Sequence, residues 1–425
     1  MKIREMRVIP VAFADPPLRS AFGLHAPYAL RTIVQLITDE GITGLGETYG
    51  GSVPLRDLEA ARERVIGQDP FQLVRIEASL SGSSALNEGD RPWEGTVQTP
   101  AQTFSPIEVA CYDIIGKAVG RPVADLLGGR YRSEVPFSAY LFYKHAGVGG
   151  TDGLADASTA AKERDDYLAR EALSAEGMVA QAQDFMRLFG FKSIKLKAGV
   201  LPPLEEAATI EAMHEALGPG TPLRIDPNCI WGVETSVEIG KRLEGKLEYY
   251  EDPTDGKANM AEVAKRVAMP LATNMCTTSW ADIPETVERG SIDILLSDHH
   301  LWGGLGATVK LAQLCKVFGW GVSMHSNSHL GISLVAMAHV AAAIPNLAYA
   351  CDTHYPWQVE EVIVGGKRQF TDGNLIIDDT PGLGVELDED ALARLNEQYH
   401  KCGLTRRDDV AEMQKIQPGW KPVRY

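Results

Sequence analysis

The sequence predicts an α/β protein, a parallel (β/α)8-type barrel preceded by a smaller α+β unit. Three observations predict it. From about Val135, short apolar runs alternate with amphipathic helical stretches, the pattern of parallel strands joined by right-handed crossovers. Eight such runs occur, the number that closes a barrel. A doubly wound open sheet would instead carry a glycine-rich phosphate loop after its first strand, and neither G-x-G-x-x-G nor a P-loop stands there.

The α+β unit comes first. Lys2–Phe13, Leu30–Thr38 and Thr43–Tyr49 read as strands rich in Val and Ile, with Asp39-Glu40-Gly41 as a hairpin turn. Phe22–Pro27, containing His25, joins the first two strands. Ile107–Val119 is helical in pattern and ends at Gly120-Arg121-Pro122. Barrel strands are expected at Pro136–Phe142, Ser193–Leu196, Leu223–Ile225, Tyr249-Tyr250, Leu271-Ala272, Ile294–Leu296, Gly321–Met324 and Leu347–Ala350. Helices are expected between them, at Leu204–Leu217, Val233–Leu243, Met260–Val267, Thr308–Phe318 and Leu334–Ala343. His145–Glu176, rich in Gly, Ala, Asp and Glu, reads as an extended surface loop with at most one helix. A barrel needs no strand after Phe370, so the tail is expected to pack back on the first unit. The expected divisions are 1–130, 131–370 and 371–425.

Composition narrows the function. Of 425 residues, 44% are hydrophobic and 23% charged, an ordinary globular balance that excludes bulk disorder. A net charge of −16 repels nucleic acid. The six cysteines form no C-x-x-C pair, which argues against a zinc ribbon or redox dithiol. No run reaches the ~18 apolar residues of a membrane helix. Met1–Pro10 is charged where a signal peptide needs an apolar stretch. The expectation is a cytoplasmic protein that meets neither nucleic acid nor membrane.

Barrel enzymes place their chemistry at the C-terminal ends of the strands. The polar residues there are Lys195 and Lys197, Asp226 and Asn228, Glu251, Asn274, Asp298, His325 and Asn327, and His354. From Lys197 to His325 they recur every 23 to 29 residues, about one βα unit. Asp226, Glu251 and Asn274 supply oxygen ligands from consecutive strands, the donor type that suits Mg2+. Singly, each acid could cap the next helix; three in register favour a metal. Lys195 and Lys197, two apart on one strand, face the same way. Each is expected to depress the other's pKa toward that of a working base. Asp298 and His325, on neighbouring strand ends, form an oriented acid/base pair.

These residues resemble a known family. Lys195-Leu196-Lys197, Asp226-Pro227-Asn228, Glu251-Asp252-Pro253, Asp298 and His325-Ser326-Asn327 are similar to the mandelate racemase branch of the enolase superfamily. Asn274, Cys351-Asp352-Thr353-His354-Tyr355-Pro356-Trp357 and Gly41-Ile42-Thr43-Gly44-Leu45-Gly46-Glu47 look like its glucarate dehydratase group. The resemblance implies a (β/α)7β modified TIM barrel, with an α+β capping domain built from both chain ends. It implies Mg2+-dependent dehydration of a hexarate diacid, D-glucarate or L-idarate, to 5-dehydro-4-deoxy-D-glucarate. In it, His325 removes the α-proton of one C5 configuration and Lys197 that of its epimer. His325 also protonates the departing hydroxyl, Asp298 orients it, and Asn228 and Asn327 assist. Lys195 lowers the pKa of Lys197 and contacts the carboxylate. Substrate contacts carried over are His25, Thr103, Tyr140, Phe142, Ser326, His354 and Arg407. The family also implies a homo-oligomer, though no segment shows how it would form. Cys229 and His299 depart from the family, standing where some members have glycine and proline. Rival readings are a related acid-sugar dehydratase (on galactarate, for example) or epimerase, a metal-free Schiff-base lyase, and a non-catalytic barrel.

Overall fold

The computed structural model describes residues 1–80, 90–150 and 167–425. Three strands, β1 (Ile3–Ala14), β2 (Tyr28–Thr38) and β3 (Thr43–Tyr49), form an antiparallel sheet in that order. The helix Pro100–Val119 packs across it. That helix starts well before the expected Ile107. Thr99 Oγ1 accepts from Gln102 N (3.2 Å) and Gln102 Oε1 accepts from Thr99 N (2.6 Å), a capping box ahead of Pro100. Gly44 and Gly46 of β3 leave room for this helix: a Cβ on either would collide with the carbonyl oxygen of Ala110 or Pro106.

The barrel strands are β4 (Glu134–Phe142), β5 (Ile194–Lys197), β6 (Leu223–Asp226), β7 (Tyr249–Glu251), β8 (Leu271–Thr273), β9 (Ile294–Ser297), β10 (Gly321–Met324) and β11 (Cys351–Thr353). Parallel pairing runs unbroken from β4 to β10 and joins β11 to β4. The remaining seam, between β10 and β11, is bridged by Val322 and Leu347. Helices follow the first seven strands, at Ala175–Phe189, Pro203–Leu217, Val233–Arg242, Lys257–Ala264, Ile283–Arg289, Leu305–Phe318 and Gly331–Ala343. Only a short turn, Tyr355–Trp357, follows the eighth. This is the (β/α)7β arrangement.

Three expectations are corrected. The last barrel strand is Cys351–Thr353, not Leu347–Ala350: the apolar run makes one bridge, while Cys351, Asp352 and Thr353 form the ladder to β4. The helix Ile283–Arg289 was not expected; with Pro284 and four charged or hydroxyl residues it shows little apolar periodicity. The tail does not pack on the first unit alone. Asn374–Ile376 (β12) pairs antiparallel with β4, while the helix Glu389–Cys402 lies on β1 and the helix Asp409–Ile416 against Gly23–Leu24 of the first unit. Of the loop His145–Glu176, residues 151–166 lie outside the described residues; among the rest, Lys144 pairs with Ala172 and a helix begins at Ala175. All six cysteines are free thiols. Among the described residues no helix is long and apolar enough to cross a membrane.

Candidate active site

Parallel register sorts the barrel interior into layers. Tyr140, Lys195, Arg224 and Tyr249 are neighbours across four strands, and Phe142, Lys197 and Asp226 lie two residues nearer the mouth. Lys197 Nζ donates to Asp226 Oδ2 at 2.6 Å. Lys195 Nζ donates to Glu251 Oε1 (2.5 Å) and Asp352 Oδ2 (2.7 Å), and is 3.4 Å from Asp226 Oδ2. The expected mutual depression of the lysines is not what this geometry produces. Burial works against the Lys197 ammonium, but Asp226 and Tyr140 outweigh both burial and Lys195, so its pKa lies above the ordinary value. Lys195, opposed by burial but held by Asp352 and Glu251, lies well above as well. The reason is that Asp226, expected as a metal ligand, is also the partner of Lys197. Lys195 is fully buried beneath the mouth and is absent from the lining of the cleft.

The oxygen donors fit a hard cation. Asp226 and Glu251 are fully buried and Asn274 nearly so. Glu251 Oε2 has no hydrogen-bond partner. The Asn274 amide fits its surroundings in either of two orientations, oxygen and nitrogen exchanged. In one, its NH2 donates to Glu251 Oε1 (3.3 Å) and Asp252 Oδ2 (2.8 Å), and its oxygen accepts from His325 Nε2 (3.0 Å). In the other, the oxygen turns to those carboxylates and the NH2 to His325. The Asn274 and Glu251 oxygens then meet with no proton between them, an arrangement that a cation beside them would favour. That orientation also suits a neutral His325 protonated on Nδ1.

His325 Nδ1 is 3.2 Å from Asp298 Oδ2. The same oxygen accepts from Tyr49 Oη (2.9 Å), while Oδ1 accepts from the backbone N (2.9 Å) and Nδ1 (2.7 Å) of His300. Arg31 Nη2 lies 3.0 Å from His300 Nε2; Arg31 can only donate, so Nε2 accepts and the proton of His300 sits on Nδ1. Arg31 also donates to Glu47 Oε1 (2.8 Å) and Asn327 Oδ1 (3.1 Å), and Asn327 Nδ2 donates to Tyr49 Oη (2.8 Å). Burial would raise Asp298, but His300 and His325 hold it well below the carboxylate range. Burial lowers His325, with Asp298 opposing. The result is an anion behind a neutral imidazole, the state of a ready base.

The cleft measures about 490 Å3 including its mouth. Lys197 and His325 line it together with His25, His354 and Arg407, and with Tyr140, Phe142 and Ser326. Asn228 and Asn327 also line it. His25 Nδ1 lies 2.9 Å from Asp15 Oδ2, and both His354 nitrogens are buried without a partner. Arg407 is half-buried in a bidentate pair with the buried Asp409, while Arg406 is exposed. Thr103 is not brought into the lining; its hydroxyl donates to Thr99 O (3.1 Å) within its own helix. The sequence reading missed Asp352, which ties Lys195 to Arg224, although it stands within a quoted motif. It also missed His300, two residues past Asp298, and Asp15, Arg31 and Tyr49, which no barrel spacing marks.

Two family models cover most of the chain. Residues 3–128 match the mandelate racemase/muconate lactonizing enzyme N-terminal domain, and residues 177–391 the enolase C-terminal domain-like family. A probable glucarate dehydratase of Streptomyces coelicolor is 44% identical over 99% of this chain and 97% of its own. An enolase of Thermobispora bispora, solved with magnesium and formate, is 50% identical with a TM-score of 0.90, covering 100% of this chain and 99% of that one. One of Pseudomonas fluorescens Pf0-1, with bound magnesium, potassium and tartrate, is 47% identical with a TM-score of 0.91, covering 100% and 98%.

Proposed function

The chain belongs to the mandelate racemase branch of the enolase superfamily, and from that premise we propose that it is a Mg2+-dependent dehydratase converting D-glucarate, and L-idarate, to 5-dehydro-4-deoxy-D-glucarate. That it is a hydro-lyase of acid sugars follows from its relatives. The substrate and the metal are the proposal. The observation that carries it is the juxtaposition of Lys197 and an Asp298-backed His325 on one cleft, beside three oxygen donors.

Asp226, Glu251 and Asn274 would hold the Mg2+, which would supply positive charge for the substrate carboxylate beside the carbon that loses its proton. Removing that proton is otherwise hard, because it builds a dianion. His325 accepts the α-proton of one C5 configuration at Nε2, with Asp298 fixing its tautomer. Lys197 would serve the epimer after giving up the proton that Asp226 holds on it. On the first route the imidazolium so formed protonates the departing β-hydroxyl; on the Lys197 route His325 would have to enter protonated to do so. Lys195, beneath the mouth, acts by holding Glu251 and Asp352 in place rather than by reaching the substrate. His25, His354 and Arg407 receive the far end of the diacid.

The reading is tested by incubating the protein with Mg2+ and each of D-glucarate, L-idarate and galactarate, and following keto-acid formation. Keto acid from the first two and little from galactarate is expected. Inversion without loss of water would instead identify an epimerase.

A further inference from the structure

The loops leaving β6 and β8 each carry a cysteine. Cys229 and Cys276 approach to 4.0 Å between sulfurs. Met275 Sδ is also 4.0 Å from Cys229 Sγ. A carboxylate oxygen of Asp252 lies within 4.8 Å of both thiols. Two thiols, a thioether and a carboxylate therefore converge beside the oxygen donors, with Met275 lining the cleft.

Two features of this cluster bear on what it could hold. Cys229 has φ +62°, next to Asn228 at +52°. That left-handed backbone suits glycine and strains a residue with a Cβ, so backbone shape does not account for a cysteine there. The sulfur spacing is also informative. A disulfide needs about 2.05 Å. Two thiolates on a tetrahedral ion, at about 2.3 Å each, stand roughly 3.8 Å apart. The observed 4.0 Å is a plain sulfur contact, far from a disulfide and within reach of the span a shared ion needs.

We propose that Cys229 and Cys276, with Met275 and Asp252, form a second cation site, selective for thiophilic ions such as Zn2+ or Cd2+ and separate from the oxygen-donor set. Soft sulfur ligands prefer such ions to Mg2+. Filling the site draws in the segments that position the neighbouring asparagines. Asn228 Nδ2 donates to Met275 Sδ at 3.5 Å, and Asp252 Oδ2 accepts from Asn274 N at 2.9 Å. Thiophilic ions should therefore inhibit in a way that excess Mg2+ does not relieve, an effect that rests on the catalytic reading; binding itself does not.

The test is titration of the whole protein with Cd2+ in excess Mg2+, read by the ultraviolet thiolate-to-cadmium charge-transfer band and by native mass spectrometry. One Cd2+ per chain is expected, with binding at least tenfold weaker in Cys229→Ser and in Cys276→Ser. Differential alkylation of the wild-type protein guards against misfolded variants: Cd2+ should protect Cys229 and Cys276 while leaving Cys402 reactive. No charge-transfer band, Cd2+ binding in both variants equal to that of the wild type, or no protection of the pair would each overturn the site.

Discussion

Asp298→Asn isolates what the carboxylate behind His325 does. Asp298 accepts four hydrogen bonds: from the backbone N and Nδ1 of His300 on one oxygen, and from Tyr49 Oη and His325 Nδ1 on the other. Asparagine keeps one acceptor. The oxygen is expected to stay with His300, whose backbone N–H cannot turn away. The new NH2 then faces Tyr49 and His325. Tyr49 can rotate its hydroxyl to accept, and His325 can move its proton to Nε2 and accept at Nδ1. Few polar groups are stranded, so stability should fall by no more than about 1–2 kcal/mol. Catalysis fares worse, because Nε2, now protonated, has no lone pair for the α-proton. A wrong-tautomer histidine of this kind costs up to about 10^4-fold, or roughly 5.5 kcal/mol of barrier. The assay is NMR of α-proton exchange in D2O with both C5 epimers. The epimer served by His325 should lose exchange by 10^2- to 10^4-fold, and the epimer served by Lys197 should keep it. Equal loss for both epimers at unchanged Mg2+ affinity would refute the reasoning.

Other outcomes follow from the same geometry. Dialysis against EDTA should abolish turnover and Mg2+ should restore it; full activity in the dialysed protein would count against the donor set. Lys197→Ala should lose exchange for its own epimer only, whereas His325→Gln should stop dehydration of both while Lys197 still exchanges its epimer, measured by keto-acid release beside deuterium incorporation. Gly46→Ala puts a Cβ against the Pro106 carbonyl and should cost about 3 kcal/mol, seen as a lower urea midpoint without change in the isolated chemistry. Burial pushes His354 down to about 3, so the folded state holds this proton more weakly than the unfolded chain, where histidine titrates near ~6.5. Its contribution is complete above that pH and is lost as pH falls toward 3; His354→Gln should soften the decline in urea midpoint between pH 7 and pH 5.

Barrel chemistry is legible in this sequence because strand ends recur at one βα interval and each carries a polar residue in a setting that rarely tolerates one. Asp226, Glu251, Asn274, Asp298 and His325 stand out for that reason, and the structure brings them to one mouth. Tyr49 and Arg31 do not stand out. They lie on antiparallel strands, where an alternating polar residue reads as a solvated face, and nothing local reveals that this sheet turns them toward the barrel. The sign of the Lys197 shift was lost differently: two lysines two residues apart are visible in sequence, but Asp226, 29 positions on from Lys197, becomes the partner of Lys197 only after β5 and β6 pair. β12 went unexpected because three residues of strand carry too little pattern to be seen.

The helix Glu389–Cys402 lies on β1, where Asn396 Nδ2 donates to Pro10 O and Gln398 Nε2 to Ala12 O, across 386 positions of sequence. During synthesis β1 therefore emerges long before its cover. At about 5–20 residues per second the interval is roughly 20–80 s, far longer than the microseconds in which a hairpin forms. The sheet can pair early, yet one face of it stays open while the whole barrel is made. For that time the nascent chain presents an uncovered strand surface, and the order of translation closes it only when the tail has been made.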